Sequence, residues 1–187
     1  MSEVTGVCGI KLWIREIKRG DRKAFKKLFL RFYNPLCQFC WQYTHSRHIS
    51  EELVQEVFLV IWESRESLDP GQNIKSYLYQ SVRNKALNHI KHKNLAEEYN
   101  REIEWLTPTP VTQQHHYEEH SEFVEAARQA IEDLPDRARQ IYTLSRKDGL
   151  TYREIAIVLD VSVKTVESQM SRALKILRKS LSEYVQF

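Results

Sequence analysis

The sequence predicts an all-α protein built from two small helical domains. Apolar residues recur every three or four positions over long stretches, which is the spacing of an amphipathic helix, whereas strands would alternate every second residue. The 187 residues contain only five glycines and five prolines, fewer turn residues than the many short connections of a β protein require. Apolar residues make up 42% of the chain, which is enough to build folded cores.

The charge of the chain is divided unevenly along its length. Residues 1–95 carry 16 Lys and Arg against 9 Asp and Glu, residues 96–130 carry 2 against 8, and residues 131–187 carry 10 against 8. The middle also loses helical periodicity and contains Thr107-Pro108-Thr109-Pro110, a linker composition. We therefore predict a first domain over residues 10–95, an acidic flexible linker over 96–120 and a second domain over 121–187. Two basic domains favour a nucleic-acid partner.

In the first half, Asp21 is predicted to cap a helix with an apolar side from Ala24 to Phe32, and Asn34-Pro35 is predicted to break it before a second helix through Tyr43. Ser50 is predicted to open a helix over residues 51–64. That helix turns Leu53, Val54, Val57, Phe58, Ile61 and Trp62 inward and Glu51, Glu52, Gln55, Glu56 and Glu63 outward. Its acidic outer face is either solvated or a site for a basic protein partner.

The turn Asp69-Pro70-Gly71 precedes a predicted helix over residues 74–93 in which aromatic and basic residues alternate. Tyr rings can stack on bases, amides can reach base edges and cations can contact phosphates, so the helix is equipped to bind a single strand. These residues are Tyr77, Tyr79, Arg83, Asn84, Lys85, Asn88, Lys91 and Lys93. Packing inside the protein is the alternative use of its tyrosines.

The second half predicts a helix from Phe123 to Leu134, another that Pro135 starts and Gly149 ends, and then a helix-turn-helix. Thr151 and Glu154 form a capping box for the first of its helices, and Ser162 can cap the second. The second helix has an apolar stripe from Val166 to Leu181. Its opposite face can touch phosphates and base edges in a major groove, and it carries Lys164, Thr165, Glu167, Ser168, Ser171 and Arg172. An ordinary helical hairpin with a solvated polar face is the alternative.

Three stretches, in this order, carry a family resemblance: SEELVQEVFLVIW, SYLYQSVRNKALNHIK and LPDRARQIYTLSRKDGLTYREIAIVLDVSVKTVESQMSRALKILR. Over residues 21–179 the chain resembles bacterial extracytoplasmic-function (ECF) sigma factors, the small sigma-70 relatives with only regions 2 and 4. The resemblance implies a three- to four-helix region 2, a four-helix region 4 with the helix-turn-helix, and a subunit that gives RNA polymerase its promoter choice.

The resemblance also implies partners and roles for individual residues. The beta-prime clamp helices of core RNA polymerase would bind Glu52, Gln55, Glu56, Phe58 and Trp62. The minus-10 promoter element would be opened and read by Lys75, Tyr79, Arg83, Asn84, Asn88 and Lys91, with Asn84 and Asn88 at positions that meet a flipped base. The minus-35 element would be read by Tyr152, Arg153, Lys164, Thr165, Glu167, Ser168, Ser171 and Arg172. The beta flap of the polymerase and a cognate anti-sigma factor are the further partners implied.

Glu167 departs from the pattern of many members, which have a basic residue after the Thr-Val pair. A carboxylate is repelled by phosphates but accepts a hydrogen bond from a cytosine amino group, so a shifted promoter sequence is expected. Val-Glu followed by a polar residue also resembles the iron-uptake type of sigma factor found in Bacteroidetes.

No catalytic residue, cofactor or small-molecule substrate is expected, because the sequence contains no nucleophile-base pair and no Gly-rich phosphate loop. Cys37 and Cys40 form a C-x-x-C followed by His45 and His48, but their place beside Leu36 and Trp41 on an expected buried face favours a core over a metal site. His115, His116 and His120 are expected to be solvated. No leader or membrane-length apolar run is evident in the sequence, which predicts a cytoplasmic protein with reduced thiols.

Two alternatives to a polymerase subunit stay open at this point. One is a two-domain helix-turn-helix regulator similar to response regulators, although residues 1–95 show no pattern of a receiver domain with parallel strands. The other is a helical adaptor that does not bind DNA. A separate hypothesis is that the acidic stretch from Glu97 to Glu125 screens the two basic domains in the free chain and weakens its binding to DNA.

Overall fold

A computed structural model describes residues 7–99, 122–182 and 184. These residues form eight α-helices and no strand, which confirms the predicted all-α class. They fall into two separate compact units, one on each side of the gap. The helices are α1 (Val7–Lys18), α2 (Arg22–Thr44), α3 (Arg47–Glu63), α4 (Ile74–Tyr99), α5 (Glu122–Glu132), α6 (Asp136–Arg146), α7 (Tyr152–Leu159) and α8 (Val163–Ser180).

The gap contains most of the predicted acidic linker. Helix α4 runs through Tyr99, four residues past the predicted end of the first domain. Of the acidic residues proposed to screen the basic domains, Glu102, Glu104, Glu118 and Glu119 lie outside the described residues, as do His115, His116 and His120. Glu125, at the far end of that stretch, lies in α5 and forms an ion pair with Arg128.

Helix α1 was not predicted from the sequence, but it contributes Ile14 and Ile17 to the core of the first unit. A turn through Gly20, with a φ of 84°, connects it to α2. Asp21 then caps α2 as predicted, because its carboxylate accepts hydrogen bonds from the amides of Lys23 (2.7 Å) and Ala24 (3.0 Å). Both hydrogen bonds, and the one from the Ala24 amide most, hold the pKa of the Asp21 carboxyl below its ordinary value.

The predicted break at Asn34-Pro35 is wrong, since α2 continues through Pro35 for 23 residues. Proline inside a helix removes one backbone hydrogen bond and crowds the preceding turn, at a cost of ~3 kcal/mol. The apolar stripe continues on both sides of Pro35, with Phe32 and Leu36 both buried. Two such buried side chains contribute ~1.5–3 kcal/mol each, so burial along the whole stripe offsets the local cost.

The predicted start of α3 at Ser50 is also wrong. Ser46 caps the helix, because its hydroxyl accepts a hydrogen bond from the amide of Ile49. Ser50 lies one turn inside and is only 1% exposed. Its hydroxyl donates to the carbonyl of Ser46 (2.8 Å) and lies 2.7 Å from the hydroxyl of Thr44. Ser50 therefore ties the connection between α2 and α3 together instead of opening the helix.

Aromatic side chains form much of the core between α2, α3 and α4. Phe25 and Phe29 of α2 contact Phe58 of α3, with ring centroids 6.2 Å and 4.8 Å apart. Farther along α2, Phe39 packs edge-on against Tyr79 of α4 at 5.1 Å. These contacts fix which sides of α3 and α4 are left to face solvent.

The second unit is organised around α8, which packs against α5, α6 and α7. Its predicted apolar stripe is buried at Val166, Met170, Ala173 and Leu177. Part of this core is shared with Ala130, Leu134 and Ala138 of α5, α6 and the turn between them. Because one side of α8 is buried along most of its length, the other side is presented outward as a single surface.

Candidate functional site

The helix-turn-helix forms as its sequence predicts. The hydroxyl of Thr151 accepts from the amide of Glu154 (3.3 Å), and the carboxylate of Glu154 accepts from the amide of Thr151 (2.6 Å), which completes the capping box. Helix α7 ends at Asp160, whose φ of 54° lies in the left-handed region. Ser162 then caps α8 by accepting from the amide of Thr165 at 3.0 Å. Local hydrogen bonds thus set the turn that positions α8.

The outer face of α8 carries the residues expected to read DNA. Five of them are exposed: Lys164, Glu167, Ser168, Ser171 and Arg172. Thr165 is half-buried, and its hydroxyl lies 2.8 Å from that of Ser162, so it belongs to the cap of α8. In α7, Tyr152 is half-buried and Arg153 is exposed. The structure therefore places six of the eight predicted residues at the surface.

The sequence prediction stopped short of the full polar face of α8. Lys175 is exposed one turn beyond Ser171 and continues the row that begins at Lys164 and Ser168. The i, i+4 spacing was the signal that could have identified it. Ile157, in the middle of the outer face of α7, is 56% exposed and adds an apolar contact point near Arg153.

The outer face of α4 forms a second polar stripe. Tyr77, Gln80, Asn84, Asn88 and Lys91 are spaced three or four residues apart, which places them along one side of the helix. Asn84, Asn88 and Lys91 are exposed, and Tyr77 and Gln80 are half-buried. Three amides, one aromatic ring and one cation therefore lie along one side of the helix, and all are at least partly exposed. Lys75 and Arg83 are half-buried on the flanks of this stripe.

The assignment of Tyr79 to DNA contact needs correction. Its side chain is 1% exposed and packs against Phe39 in the core, so its ring is not available to a base. Tyr77 is the accessible aromatic residue of the helix. The spacing separates the two, because Tyr79 lies three residues from Val82 and seven from Ala86, both fully buried, whereas Tyr77 lies seven residues from the exposed Asn84.

A small open pocket lies between the end of α3 and the start of α4. Its volume is about 100 Å³ and Tyr77 forms part of its wall. The amide of Gly71 donates to the carboxylate of Asp69 (2.8 Å), confirming the predicted turn, and Asn73 accepts from the amides of Lys75 and Ser76 to cap α4. The other lining residues are mostly polar: Ser64, Ser67, Leu68, Asp69, Gln72 and Ile74.

The outer face of α3 is acidic, as predicted. Glu52 is exposed and forms no ion pair within the described residues. Gln55 is exposed and donates to the hydroxyl of Tyr33 at 3.3 Å. Glu56 is exposed but its carboxylate lies 2.6 Å from the ammonium of Lys85, so α3 and α4 are joined by an ion pair.

Phe58 does not belong to this outer face, which corrects a second assignment. It is 2% exposed and contacts Phe25 and Phe29 in the core. Leu59, the next residue, is 56% exposed. Leu59 lies one turn from Gln55 and Glu56 and two turns from Glu52, so its spacing from the acidic residues could have identified it.

Trp62 lies at the border of the outer face. It is half-buried against Phe25, with ring centroids 5.0 Å apart. The guanidinium of Arg65 sits 5.1 Å from the centroid of its ring, a cation–π distance. Trp62 is therefore only partly accessible to a partner.

Cys37 and Cys40 lie where packing predicts them, although Trp41, which was expected on the same buried face, is 41% exposed. Cys40 is fully buried and Cys37 is half-buried, and burial raises the pKa of each thiol to about 11. In the described part of the chain, no three His, Cys, Asp or Glu side chains are grouped so that they could hold a metal ion. The described helices also include none with both the length and the apolar composition needed to cross a bilayer.

Both units match known families. Residues 28–95 match Sigma-70 region 2 and residues 125–177 match Sigma-70, region 4. The chain is 26% identical over 182 residues to the ECF RNA polymerase sigma factor SigW of Bacillus subtilis, covering 93% of this chain and 97% of SigW. It is 27% identical over 168 residues to the ECF RNA polymerase sigma-E factor of Escherichia coli, covering 86% of this chain and 87% of that factor.

Among solved structures, the fold is similar to that of the sigma factor RpoE of Bartonella quintana, determined in complex with the anti-sigma factor NepR. The TM-score is 0.59 at 21% identity, and the likeness covers 86% of this chain and 98% of that one. The two region matches together span well over half of the chain, and in the order that the sequence predicts. These matches do not favour a free-standing regulator or an adaptor. The chain belongs to the sigma-70 family, as a sigma factor of the ECF type.

Proposed function

We propose that this sigma factor uses three separate helix faces to initiate transcription. The outer face of α3 binds core RNA polymerase, the outer face of α4 opens and reads the minus-10 element, and the outer face of α8 reads the minus-35 element. The observation that carries the proposal is the exposed stripe on each helix, which has the chemistry its partner requires. The chain supplies promoter choice and strand opening, while the polymerase catalyses RNA synthesis. Both act in the cytoplasm.

The face proposed for the polymerase combines Glu52, Gln55 and Glu56 with Leu59. Carboxylates around one exposed leucine suit a basic partner helix with an apolar contact at its centre, since charge complementarity gives orientation and apolar burial gives affinity. DNA would be repelled from this face. The family resemblance identifies the partner as the beta-prime clamp helices, with the beta flap as the partner of the second unit.

The face proposed for the minus-10 element consists of the α4 stripe and the neighbouring pocket. A base that leaves the stack can be held by stacking on Tyr77 and by hydrogen bonds from polar groups of the pocket, while Asn84 and Asn88 offer amides to base edges. Lys91 continues the same stripe and can contact a phosphate. Unstacking costs a few kcal/mol, which stacking on an aromatic side chain, ~1–3 kcal/mol per base, largely offsets.

The α8 face divides into positioning and reading groups. Lys164, Arg172 and Lys175 have the charge for phosphate contacts, although Arg172 can also reach a guanine. Glu167 can only accept hydrogen bonds when ionised, so the base edge it suits is that of cytosine. The resemblance to iron-uptake sigma factors rests on the same residue and stays a prediction.

Electrophoretic mobility of promoter DNA with and without core polymerase tests the proposal as a whole. At physiological salt and with excess non-promoter duplex as competitor, which removes sequence-independent binding, we expect a shift only when core polymerase is present. A shift of equal strength with the chain alone would identify a free-standing regulator, and no shift under either condition would identify an adaptor. Promoters selected from a random library with the reconstituted holoenzyme would supply the natural sequence.

A pair of substitutions at Tyr77 tests the minus-10 assignment. Tyr77→Ala removes the ring and should reduce open complexes by about 5- to 150-fold, the equivalent of one lost stacked base. Tyr77→Phe keeps the ring and should behave nearly as the wild type. Permanganate reactivity of unpaired thymines reports opening, and a template with a melted bubble should rescue Tyr77→Ala. Equal losses in both variants would exclude stacking as the role of this residue.

A cognate anti-sigma factor is the remaining partner in the proposal. It is supported by the family resemblance and by the solved complex of the similar RpoE with its anti-sigma factor. Such a protein would block initiation by covering the outer face of α3, because that face is the proposed entry to the polymerase. Competition between a candidate anti-sigma factor and core enzyme for the wild-type chain is the measurement that tests it.

A further inference from the structure

We propose that the outer face of α2 is a surface that binds the phosphate backbone of duplex DNA without regard to sequence. It is distinct from the three faces assigned above. It consists of five exposed cations in the first ten residues of the helix: Arg22, Lys23, Lys26, Lys27 and Arg31.

The arrangement of these cations is regular. Lys23, Lys27 and Arg31 follow one another at i, i+4 and i+8, and Arg22 and Lys26 form a parallel row beside them. Neighbours four residues apart are separated by about 6 Å along the axis. The two rows therefore present repeated positive charge over more than one helical turn. Arg22 and Lys26 lie opposite the buried stripe of Ala24, Leu28 and Phe32, and the row from Lys23 to Arg31 lies about 100° around the helix from that stripe.

No other charge in the helix balances this row. Helix α2 contains no Asp or Glu in its 23 residues, and none of the five cations forms an ion pair within the described residues. The nearest acid in sequence is Asp21, whose carboxylate is occupied with the amides of Lys23 and Ala24. In contrast, the exposed Arg47 of α3 pairs with Glu51 on its own helix.

The arrangement works against the stability of the helix itself. Like charges four residues apart repel each other, and cations in the first turn oppose the helix dipole. An ordinary solvated face would mix both signs, as α3 and α5 do. The repulsion is removed if a polyanion neutralises the row, which is the physical reason to infer one as the partner.

The side chains favour DNA over an acidic protein. Three of the five cations are lysines, a residue type depleted from protein interfaces but well suited to phosphates as a mobile point charge. The face contains one exposed large apolar group, Leu30, which is 66% exposed. Its aromatic residues, Phe29 and Tyr33, are half-buried and stacked on each other at 4.6 Å, so they are already packed within the protein and not projecting as the anchors that protein interfaces use. The row itself has no amide or hydroxyl side chain to read bases, so contact is limited to the backbone.

Binding of the full chain to a duplex without promoter elements, measured by fluorescence anisotropy over a range of KCl concentrations, tests the proposal. The variant with Lys23→Gln, Lys27→Gln and Arg31→Gln should lower the slope of log affinity against log salt by about 2 to 3, because each phosphate contact contributes ~0.9. The matched control carries Arg47→Gln, Arg128→Gln and Arg139→Gln, which remove the same charge from cations already held in ion pairs. The control should keep the wild-type slope.

Several results would overturn the proposal. They are an unchanged slope in the α2 variant, an equal fall in the control, or no duplex binding by the wild type at low salt. Poly-glutamate at the same charge concentration should not displace the duplex, and equal displacement would instead indicate an acidic protein partner. The midpoint temperature of thermal unfolding of the α2 variant should be unchanged or raised. The variant should also still associate with core polymerase, which keeps this test separate from the test of the polymerase face.

Discussion

The ion pair between Glu56 and Lys85 makes the proposed polymerase face testable, because one carboxylate serves two purposes. It lies 2.6 Å from the ammonium of Lys85, which joins α3 to α4, and it also lies on the acidic stripe with Glu52. Four variants separate the two purposes: Glu56→Gln, Lys85→Gln, the double Gln variant, and the charge swap Glu56→Lys with Lys85→Glu.

The exposure of the pair decides how much stability is at stake. At an effective dielectric constant of 20, two charges 2.6 Å apart attract by about 6 kcal/mol. The side chains of Lys85 and Glu56 are 36% and 47% exposed, however, and pairs that solvent and salt reach in this way contribute ~0.2–1 kcal/mol in double-mutant cycles. We expect a coupling free energy in that smaller range, since ordering two long side chains cancels most of the attraction.

Urea unfolding of the full chain in a Trp105→Phe background, followed by tryptophan fluorescence, gives the stability of the first unit, since the other three of the four tryptophans, Trp13, Trp41 and Trp62, lie there. The charge swap should recover most of the stability that the single Gln variants lose, because the ion pair forms again with its charges exchanged. It should not recover association with core polymerase, because a cation then stands in the acidic face.

Glu52→Gln is the control for the interface alone, since Glu52 is exposed without an ion pair in the described part of the chain. It should weaken pull-down of core polymerase and leave the urea midpoint unchanged. If the swap restored both stability and pull-down, Glu56 would serve the fold only, and the polymerase would have to bind elsewhere.

The remaining predictions concern the other faces and the core. Asn88→Ala should lower open-complex formation by the equivalent of ~1–3 kcal/mol and spare upstream contacts, as permanganate footprinting with DNase protection would show. Glu167→Arg should change the minus-35 sequence recovered from a promoter library, whereas an identical preference would exclude base reading by that carboxylate. Asp160→Gly should stabilise the second unit by about 1 kcal/mol in thermal unfolding, because Asp160 occupies a left-handed conformation that glycine adopts without strain. Cys37 and Cys40, with pKa values of about 11, should be alkylated slowly at pH 8. Thiols of the unfolded chain ionise at a lower pH than these buried thiols, so rising pH favours the unfolded state. The first unit should therefore lose stability between about pH 9 and 11, relative to a variant in which Cys37 and Cys40 are both replaced by Ala.

The helix-turn-helix was predictable in detail because local interactions specify it. A capping box needs only Thr151 and Glu154, three residues apart, and Ser162 needs only the amides that follow it. The left-handed turn at Asp160 is likewise a property of a few residues. In this motif, where neighbours in sequence supply the hydrogen bonds that begin both helices, the predicted and observed helix starts agree to the residue.

The connections of the first unit were less predictable because packing decides them. Pro35 would break an isolated helix, yet an apolar stripe buried on both sides of it holds α2 together. Ser46 and Ser50 are equally good caps by residue type. The choice between them depends on Thr44, which approaches the hydroxyl of Ser50 from the end of α2, and no local rule contains that contact.

The candidate site shows the same division on a finer scale. Sequence motifs identified α3 and α4 as the functional helices, but a step of one residue turns a side chain by about 100° around the axis, and that step separates buried Phe58 from exposed Leu59. Tyr77 and Tyr79 differ by two such steps, which carry Tyr79 to the side that meets Phe39 of α2. Which tyrosine reaches a base is therefore set by where α2 packs, so a functional residue on an amphipathic helix can be assigned from sequence only after its buried neighbours are known.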